Sequence, residues 1–327
     1  MKLRLTSAGI LATIQDAGRW QGLRMGVPRS GAMDSCALAV ANALLNNPLN
    51  SAVIELTGGA TAFEVHEAGL LAVTGADLGA TLNDAELPLW TALFMRVGDQ
   101  ISFRSRRNDW GARAYVALQG GIDVPVVLGS RSTNLSSAFG GLHGRMLRVG
   151  DELYSRQANT DVLMFAGRRW PPMLRPAYCS QPVLRFIAGP HGDYFHVDAL
   201  AQLMTQPLRI GTNSNRMGYR LEGSHIAYAR SVSLPSLGVL PGVIQIPPDG
   251  MPVLLMADAQ TTGGYPIIGV VIAADLPLAA QLLPGDSLCL QEISLAEALV
   301  ARRVQSAWWQ TGASLEDDVL DLLSVSC

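Results

Sequence analysis

The sequence predicts a mainly β protein with a few helices, arranged as two β-rich subdomains. Its 327 residues include 33 glycines and 18 prolines, too many chain breakers for a helical protein. Short apolar runs rich in β-branched residues recur between the breakers, at residues 52–56, 70–73, 114–118, 183–187, 253–256 and 267–272. Runs of this length and content read as strands. Helical signals are confined to a few stretches.

Taken in order, Asp34 is the first such signal, an N-cap for a helix over 35–46 in which Leu38, Ala41 and Leu45 share a face. Gly98-Asp99, Gly150-Asp151 and Gly285-Asp286 read as three turns of one kind, each following an apolar or proline residue and preceding a strand-like segment. Residues 156–182 carry Pro171, Pro172, Pro176 and Pro182 with little periodicity and read as a linker. The expected division is a subdomain at 1–170, a second at 180–310, and a tail at 311–327. A second helix is expected over 193–204. Pro247-Pro248-Asp249-Gly250 is expected to turn strand 243–246 into strand 252–256. Ser294 with Glu297 forms a capping box that opens a helix to about Trp309, and Ser314 opens a short terminal one.

Charged residues make up 16% of the chain, against about 25% in an average domain. Mean hydropathy is +0.23. A bilayer span needs roughly 20 consecutive apolar residues. The uncharged run 231–248 is broken by Pro235, Pro241 and Pro247, and the run 259–274 by Gln260, Thr261, Thr262 and Pro266. The apolar stretch before Asp16 is too short for a secretory signal. A cytoplasmic protein with no membrane association is expected. A net charge of −3 favours neither nucleic acid nor anionic lipid. Lys2 is the sole lysine, so the fold contains no P-loop or Schiff-base lysine. Cys36, Cys179, Cys289 and Cys327 are scattered, which argues for buried thiols rather than disulfides or a zinc site. The five histidines have no metal-ligand spacing, and no metal site is expected. The low charge itself marks surface kept from water by an interface, with a partner or with further copies of the chain.

Glycine spacing excludes standard Walker and Rossmann loops, and no Gly-x-Ser-x-Gly elbow exists. Chemistry concentrates in four clusters. In 248–269 a buried strand ends at Asp258, Gln260, Thr261 and Thr262. Gly263 and Gly264 then free backbone N–H groups to face a ligand, and Tyr265 opens another strand. In 211–223, Arg216 and Arg220 offer forked donors for carboxylate or phosphate, beside Asn215 and Tyr219. Asp16, Arg19 and Asp34 belong to a third cluster in which Asp16 with Arg19 equally suits a local ion pair. Ser130 and Arg131, in Leu-Gly-Ser-Arg-Ser-Thr, suit either an anion-facing loop or a polar turn.

Together the ordered motifs are specific. Gln15-Asp-Ala-Gly-Arg19, Ser30-Gly-Ala-Met-Asp34, Gly120-Gly-Ile-Asp123 with Leu128-Gly-Ser-Arg-Ser-Thr133, Ser214-Asn-Arg-Met-Gly-Tyr-Arg-Leu221 and Asp258-Ala-Gln-Thr-Thr-Gly-Gly-Tyr-Pro266 resemble the biotin-dependent-carboxyltransferase-like family. That family includes C subunits of ATP-dependent 5-oxoprolinase, allophanate hydrolase subunit 2 homologues, Kip-type kinase regulators and the carboxyltransferase domain of urea carboxylase. The resemblance runs from about residue 3 to about residue 302.

It implies cyclophilin-like β-barrel architecture and work within a heteromeric complex with 5-oxoprolinase subunits B and A. The implied reaction opens 5-oxo-L-proline to L-glutamate with ATP hydrolysis, and Mg2+ accompanies the ATP. Alternatives are a carboxyltransferase acting on biotin carried by another protein, and a regulator that binds a kinase inhibitor. Phosphorylating the lactam oxygen makes the lactam electrophilic, so oriented arginines and amides are the useful groups. On this reading Asp258, Arg216 and Gln260 are catalytic. Arg220, Thr261, Thr262, Gly263, Gly264, Tyr265, Tyr219 and Asn215 bind substrate or phosphate. Asp16, Arg19, Asp34, Ser130 and Arg131 are second choices, and Arg216→Ala is expected to spare the fold.

Overall fold

A computed structural model describes residues 1–156 and 162–313. The first lobe is a sandwich of two antiparallel sheets. One has six strands in the order Glu152–Tyr154, Lys2–Ala8, Thr61–Glu67, Gln100–Phe103, Thr81–Leu82 and Ala85–Glu86. The other has five, in the order Leu11–Gln15, Val53–Thr57, Arg113–Leu118, Gly69–Gly75 and Ala92–Met95.

The strands Gly69–Gly75 and Arg113–Leu118 are buried at every position, and period-two alternation shows why. Leu71, Val73, Ala114 and Val116 pack into the core between the sheets, with Leu3, Leu5, Phe63 and Val65. Leu70, Ala72, Tyr115 and Ala117 pack on the opposite face, against a helix carrying Leu38 and Ala41, with Leu45 just past its end. That helix, α1 (Ser35–Leu44), is capped by Asp34, whose carboxylate accepts the Ala37 N–H at 2.9 Å. Asn46 has φ 54°, outside helical range, and α1 stops short of it.

The second lobe is a closed seven-stranded barrel in the order Val183–Ala188, Ile267–Val271, Val243–Gln245, Val253–Leu255, Gly218–Glu222, Leu208–Ile210 and Ser287–Glu292. The last strand closes it by pairing parallel with the first. Leu184, Phe186, Leu221, Ile244, Leu254 and Leu288 fill it. The turn at 247–250 joins its two antiparallel strands as the sequence predicts. The fold is therefore mainly β, with two β-rich lobes and one barrel.

Further helices are α2 (Ala199–Met204), α3 (Leu276–Ala279) and α4 (Leu295–Ala313). The expected helix over 193–204 is shorter at its start. Phe195 is extended and bridges Tyr228, while Ala229 N donates to the Tyr194 carbonyl at 2.9 Å. Ser294 and Glu297 form the capping box: Ser294 N donates to Glu297 Oε2 at 2.8 Å and Glu297 N to Ser294 Oγ at 3.3 Å. The helix expected from Ser314, and all of the 311–327 tail beyond Ala313, lie outside the described residues. Cys36 is buried as expected but Cys179 is exposed, because it lies on the irregular segment between the lobes.

The three Gly-Asp turns are one structure. Gly98, Gly150 and Gly285 have φ 91°, 90° and 98°, a region glycine enters without penalty. In each, the aspartate carboxylate accepts the N–H three residues back, from Arg96, Arg148 and Leu283, at 2.7, 2.8 and 2.8 Å.

Arg145 also pairs with Asp151 at 2.7 Å and holds its carboxyl below the usual range, against the opposing effect of partial burial. A depressed pKa contributes stability that is present above the unfolded-state value, near 3.9, and is lost as pH falls through the folded one. Asp151→Asn is therefore expected to lower stability at pH 7 by about 0.5–1 kcal/mol. In urea melts the difference from wild type should vanish below the carboxylate range.

Candidate functional site

The outer face of the five-stranded sheet runs from α1 towards the barrel. Alternation puts Val53, Glu55 and Thr57 on this face, and Ala117, Tyr115 and Arg113 beside them. Tyr115 is the register partner of Glu55, and Arg113 that of Thr57. A carboxylate and a guanidinium thus sit on a surface buried by the second lobe.

Arg216, from the loop before strand Gly218–Glu222, completes the junction. Its Nε donates to Asp258 Oδ2 at 2.8 Å, and its Nη2 to Asp258 Oδ1 at 3.2 Å and to the Gly31 carbonyl at 2.6 Å. Its Nη1 donates to Glu55 Oε1. Glu55 Oε2 accepts the Met33 N–H and the Tyr115 hydroxyl, each at 2.8 Å. Asp34 Oδ2 accepts Tyr178 OH at 2.6 Å and Gln281 Nε2 at 2.8 Å, and Gln281 Oε1 accepts the backbone N–H of Arg113 at 2.9 Å. Arg113 Nη1 donates to Tyr219 OH at 3.0 Å and to the Ala280 carbonyl. Glycine is required at position 31: φ is +90°, and a Cβ would stand 2.9 Å from Gly18 N and 3.0 Å from the Asp16 carbonyl.

Burial alone would push the Arg216 guanidinium down, but Asp258 and Glu55 more than offset it and hold it above its ordinary value. Burial, then the charges of Glu55 and Asp34, push the Tyr115 phenol well up. Burial raises the Asp34 carboxyl against the bonds from Ala37, Tyr178 and Gln281. The Tyr115 and Tyr178 phenols act as hydrogen-bond donors and not as bases.

A cavity of about 440 Å³ opens beside this junction, lined by Leu11, Thr57, Arg113, Asn215, Arg216, Tyr219 and Asp258 among others. The structure brings Arg216, Asp258, Tyr219 and Asn215 together there. It places the other candidates elsewhere. Thr262–Gly263 pairs with Leu237–Gly238 in a two-stranded ribbon, and the Thr261 carbonyl accepts the Val239 N–H at 2.9 Å. Gln260 reaches Gln245 at 3.4 Å, Gly264 lies beyond the ribbon, and Tyr265 is half exposed. Arg220 points outward from its strand, 3.5 Å from Asp249, because Tyr219 and Leu221 take the inward positions.

Asp16 is closed off mainly by the Ser130–Ser132 loop. It accepts Gly18 N at 2.8 Å, Ser130 Oγ at 2.6 Å, Ser132 Oγ at 2.5 Å and Arg131 N at 2.5 Å. Arg19 is fully buried over the Phe139 ring, donating to Val127 and Ser132 carbonyls. Asp34 caps α1 and joins the junction. Glu55, Tyr115, Arg113 and Gln281 belong to the junction and were not singled out from the sequence. The signal for Glu55 and Arg113 is a charge inside an apolar strand, Val-Ile-Glu-Leu-Thr and Arg-Ala-Tyr-Val, which burial tolerates only when paired, whereas Tyr115 and Gln281 carry no such signal.

Asp258 gives both oxygens to Arg216, and among the described residues no group of three His, Cys, Asp or Glu is placed to hold a metal ion. Asp258 is thereby committed to Arg216 rather than to a metal ion. Among the described residues, no helix is long and apolar enough to cross a membrane.

Residues 25–292 match the family described as carboxyltransferase domain, subdomain A and B. The chain belongs to this carboxyltransferase family. It is 38% identical to the 5-oxoprolinase C subunit of Escherichia coli, over 94% of this chain and 96% of that protein. It is 35% identical to the 5-oxoprolinase C subunit of Haemophilus influenzae, over 89% of this chain and 91% of that one. The Kluyveromyces lactis urea carboxylase structure matches 95% of this chain with TM-score 0.88 and 30% identity, but the chain spans only 29% of that protein.

The buried pairing of Arg216 with Glu55 and Asp258 argues against the expectation that Arg216→Ala spares this family member's fold. The substitution leaves Glu55 and Asp258 buried without their cation, and a loss of about 3–5 kcal/mol is expected. Urea denaturation of the purified variant measures it directly.

Proposed function

We propose that the chain is the C-type subunit of an ATP-dependent 5-oxoprolinase, which opens 5-oxo-L-proline to L-glutamate in a cytoplasmic complex with subunits B and A. The supporting observation is likeness over nearly the whole length of both chains to a protein of that name. The fold adds a cavity of substrate size at the junction of the two lobes. The reading assigns ATP to the complex and routes no phosphate through Asp258, which is committed to Arg216.

Under this reading Arg216 and Asp258 are positioning residues, since each is committed to the other and to the lobe junction. The groups left to meet a substrate or partner are Gln260, Thr261, Thr262, Gly263, Gly264 and Tyr265, on the ribbon and on either side of it. Exposed Leu237, Leu240 and Tyr265 surround them with apolar surface suited to a further protein of the complex. A second reading, a carboxyltransferase that takes carboxylate from biotin borne by another protein, is favoured by the family description and the likeness to urea carboxylase.

Co-expression with candidate B and A subunits, followed by 5-oxoproline-dependent ATP hydrolysis, tests the first reading. An intact complex without turnover overturns it, and carboxyl transfer from a biotinylated carrier supports the second. Gln260→Ala is expected to lower turnover about tenfold or more while leaving the melting temperature unchanged, since its partly buried side chain makes one long bond.

A further inference from the structure

One guanidinium beside the lobe junction has nothing to balance its charge. Arg29 makes a single long bond, from Nε to the Ser30 carbonyl at 3.4 Å. Among the described residues it forms no ion pair, and its Nη1 and Nη2 make no hydrogen bond. The Ser35 hydroxyl is likewise without a hydrogen bond among them. Both side chains are part-exposed, and none of these atoms is sealed from solvent, so a small molecule is able to reach them. Arg29 and Ser35 share the wall of a recess of about 70 Å³ with Met33, Met256 and Leu276.

The Arg29 side chain is held in place. Its own carbonyl accepts the Arg19 N–H at 2.7 Å. Ser30, next in the chain, has φ 54°, a value uncommon outside glycine. Its Oγ accepts Asn134 Nδ2 at 3.0 Å and pins that conformation. The guanidinium lies 4.8 Å over the ring of Trp20, which is 57% exposed. Stacking occupies a guanidinium face and leaves its in-plane N–H fork free.

The chemistry of the ligand follows from these groups. An arginine stays charged. Burial, then the charge of Arg216, pushes the Arg29 guanidinium down against the attraction of Asp258. Arg216 and Asp258 are already paired with each other, so the Arg29 charge calls for an anion from outside. A planar fork matches the two oxygens of a carboxylate. A phosphate would bring a third oxygen and nearly a second charge that the recess does not match. One water takes about 30 Å³ of liquid, so the recess admits a carboxylate but not a ring with it. The loop carrying Arg29 abuts the ribbon, because a Cβ at Gly26 would stand 3.9 Å from Thr261 Oγ1.

We propose that the Arg29 fork, backed by Trp20 and with Ser35 in the same recess, binds a carboxylate. Its identification as the carboxylate of 5-oxo-L-proline rests on the function proposed above. The ring amide of that molecule then stays outside the recess, on the side of the ribbon.

The test titrates the purified full-length chain with 5-oxo-L-proline, with 5-oxo-L-prolinamide, and with acetate, followed by ligand-observed NMR. 5-Oxo-L-proline is expected to bind about tenfold or more tightly than its uncharged amide. Arg29→Gln should remove that preference, and Arg29→Lys, which keeps the charge without the fork, should restore part of it. Absence of 5-oxo-L-proline and acetate binding at tens of millimolar overturns the proposal. So does an unchanged preference in folded Arg29→Gln, or inorganic phosphate displacing acetate more effectively than 5-oxo-L-proline does. In the reconstituted complex Arg29→Gln should raise KM for 5-oxoproline about tenfold or more, with a smaller fall in kcat. Arg29-dependent acetate binding, with no oxoprolinase turnover by the intact complex, would overturn the function and leave the carboxylate site standing. Turnover with a KM that Arg29→Gln does not move would do the reverse.

Discussion

The structure depends on a buried carboxylate on a β-strand. Glu55 sits among buried neighbours, and a lone ionised group there would cost several kcal/mol in lost hydration. Its cation, Arg216, arrives from the other lobe, 161 residues away in sequence. Asp258 balances the second arginine edge, and Asp34, Tyr115 and Gln281 spend their hydrogen-bonding capacity on the same junction. Separating the lobes would expose or unpair all of these groups at once. The two lobes are thus held in one relative position by polar groups that tolerate few alternatives, which is the use of buried charge best suited to specifying geometry.

What was legible in the sequence was local. Strand runs, the Asp34 cap, the Ser294–Glu297 box and the repeated Gly-Asp turn each depend on residues within a few positions of one another. Alternation along Gly218–Glu222 was equally local. It separates Arg216 from Arg220, because inward Tyr219 and Leu221 oblige Arg220 to face water. The junction was less legible because its members are paired across the chain. Arg216 and Asp258 are 42 positions apart, and Glu55 looked like one more residue of a core strand. The motif Gln-Thr-Thr-Gly-Gly was visible as a polar turn, but that it builds a ribbon with Leu237–Gly238 depends on a pairing no local signal encodes.

The scarcity of charge has two physical sources in the fold. Part of what charge there is, at Asp16, Arg19, Asp34, Glu55, Arg113, Arg216 and Asp258, lies inside rather than on the surface. The surface is correspondingly left with large exposed apolar side chains, at Leu237, Leu240 and Tyr265 near the ribbon and at Leu295 and Leu299 on α4. An average surface dilutes such residues with lysine and glutamate, and this chain has one lysine.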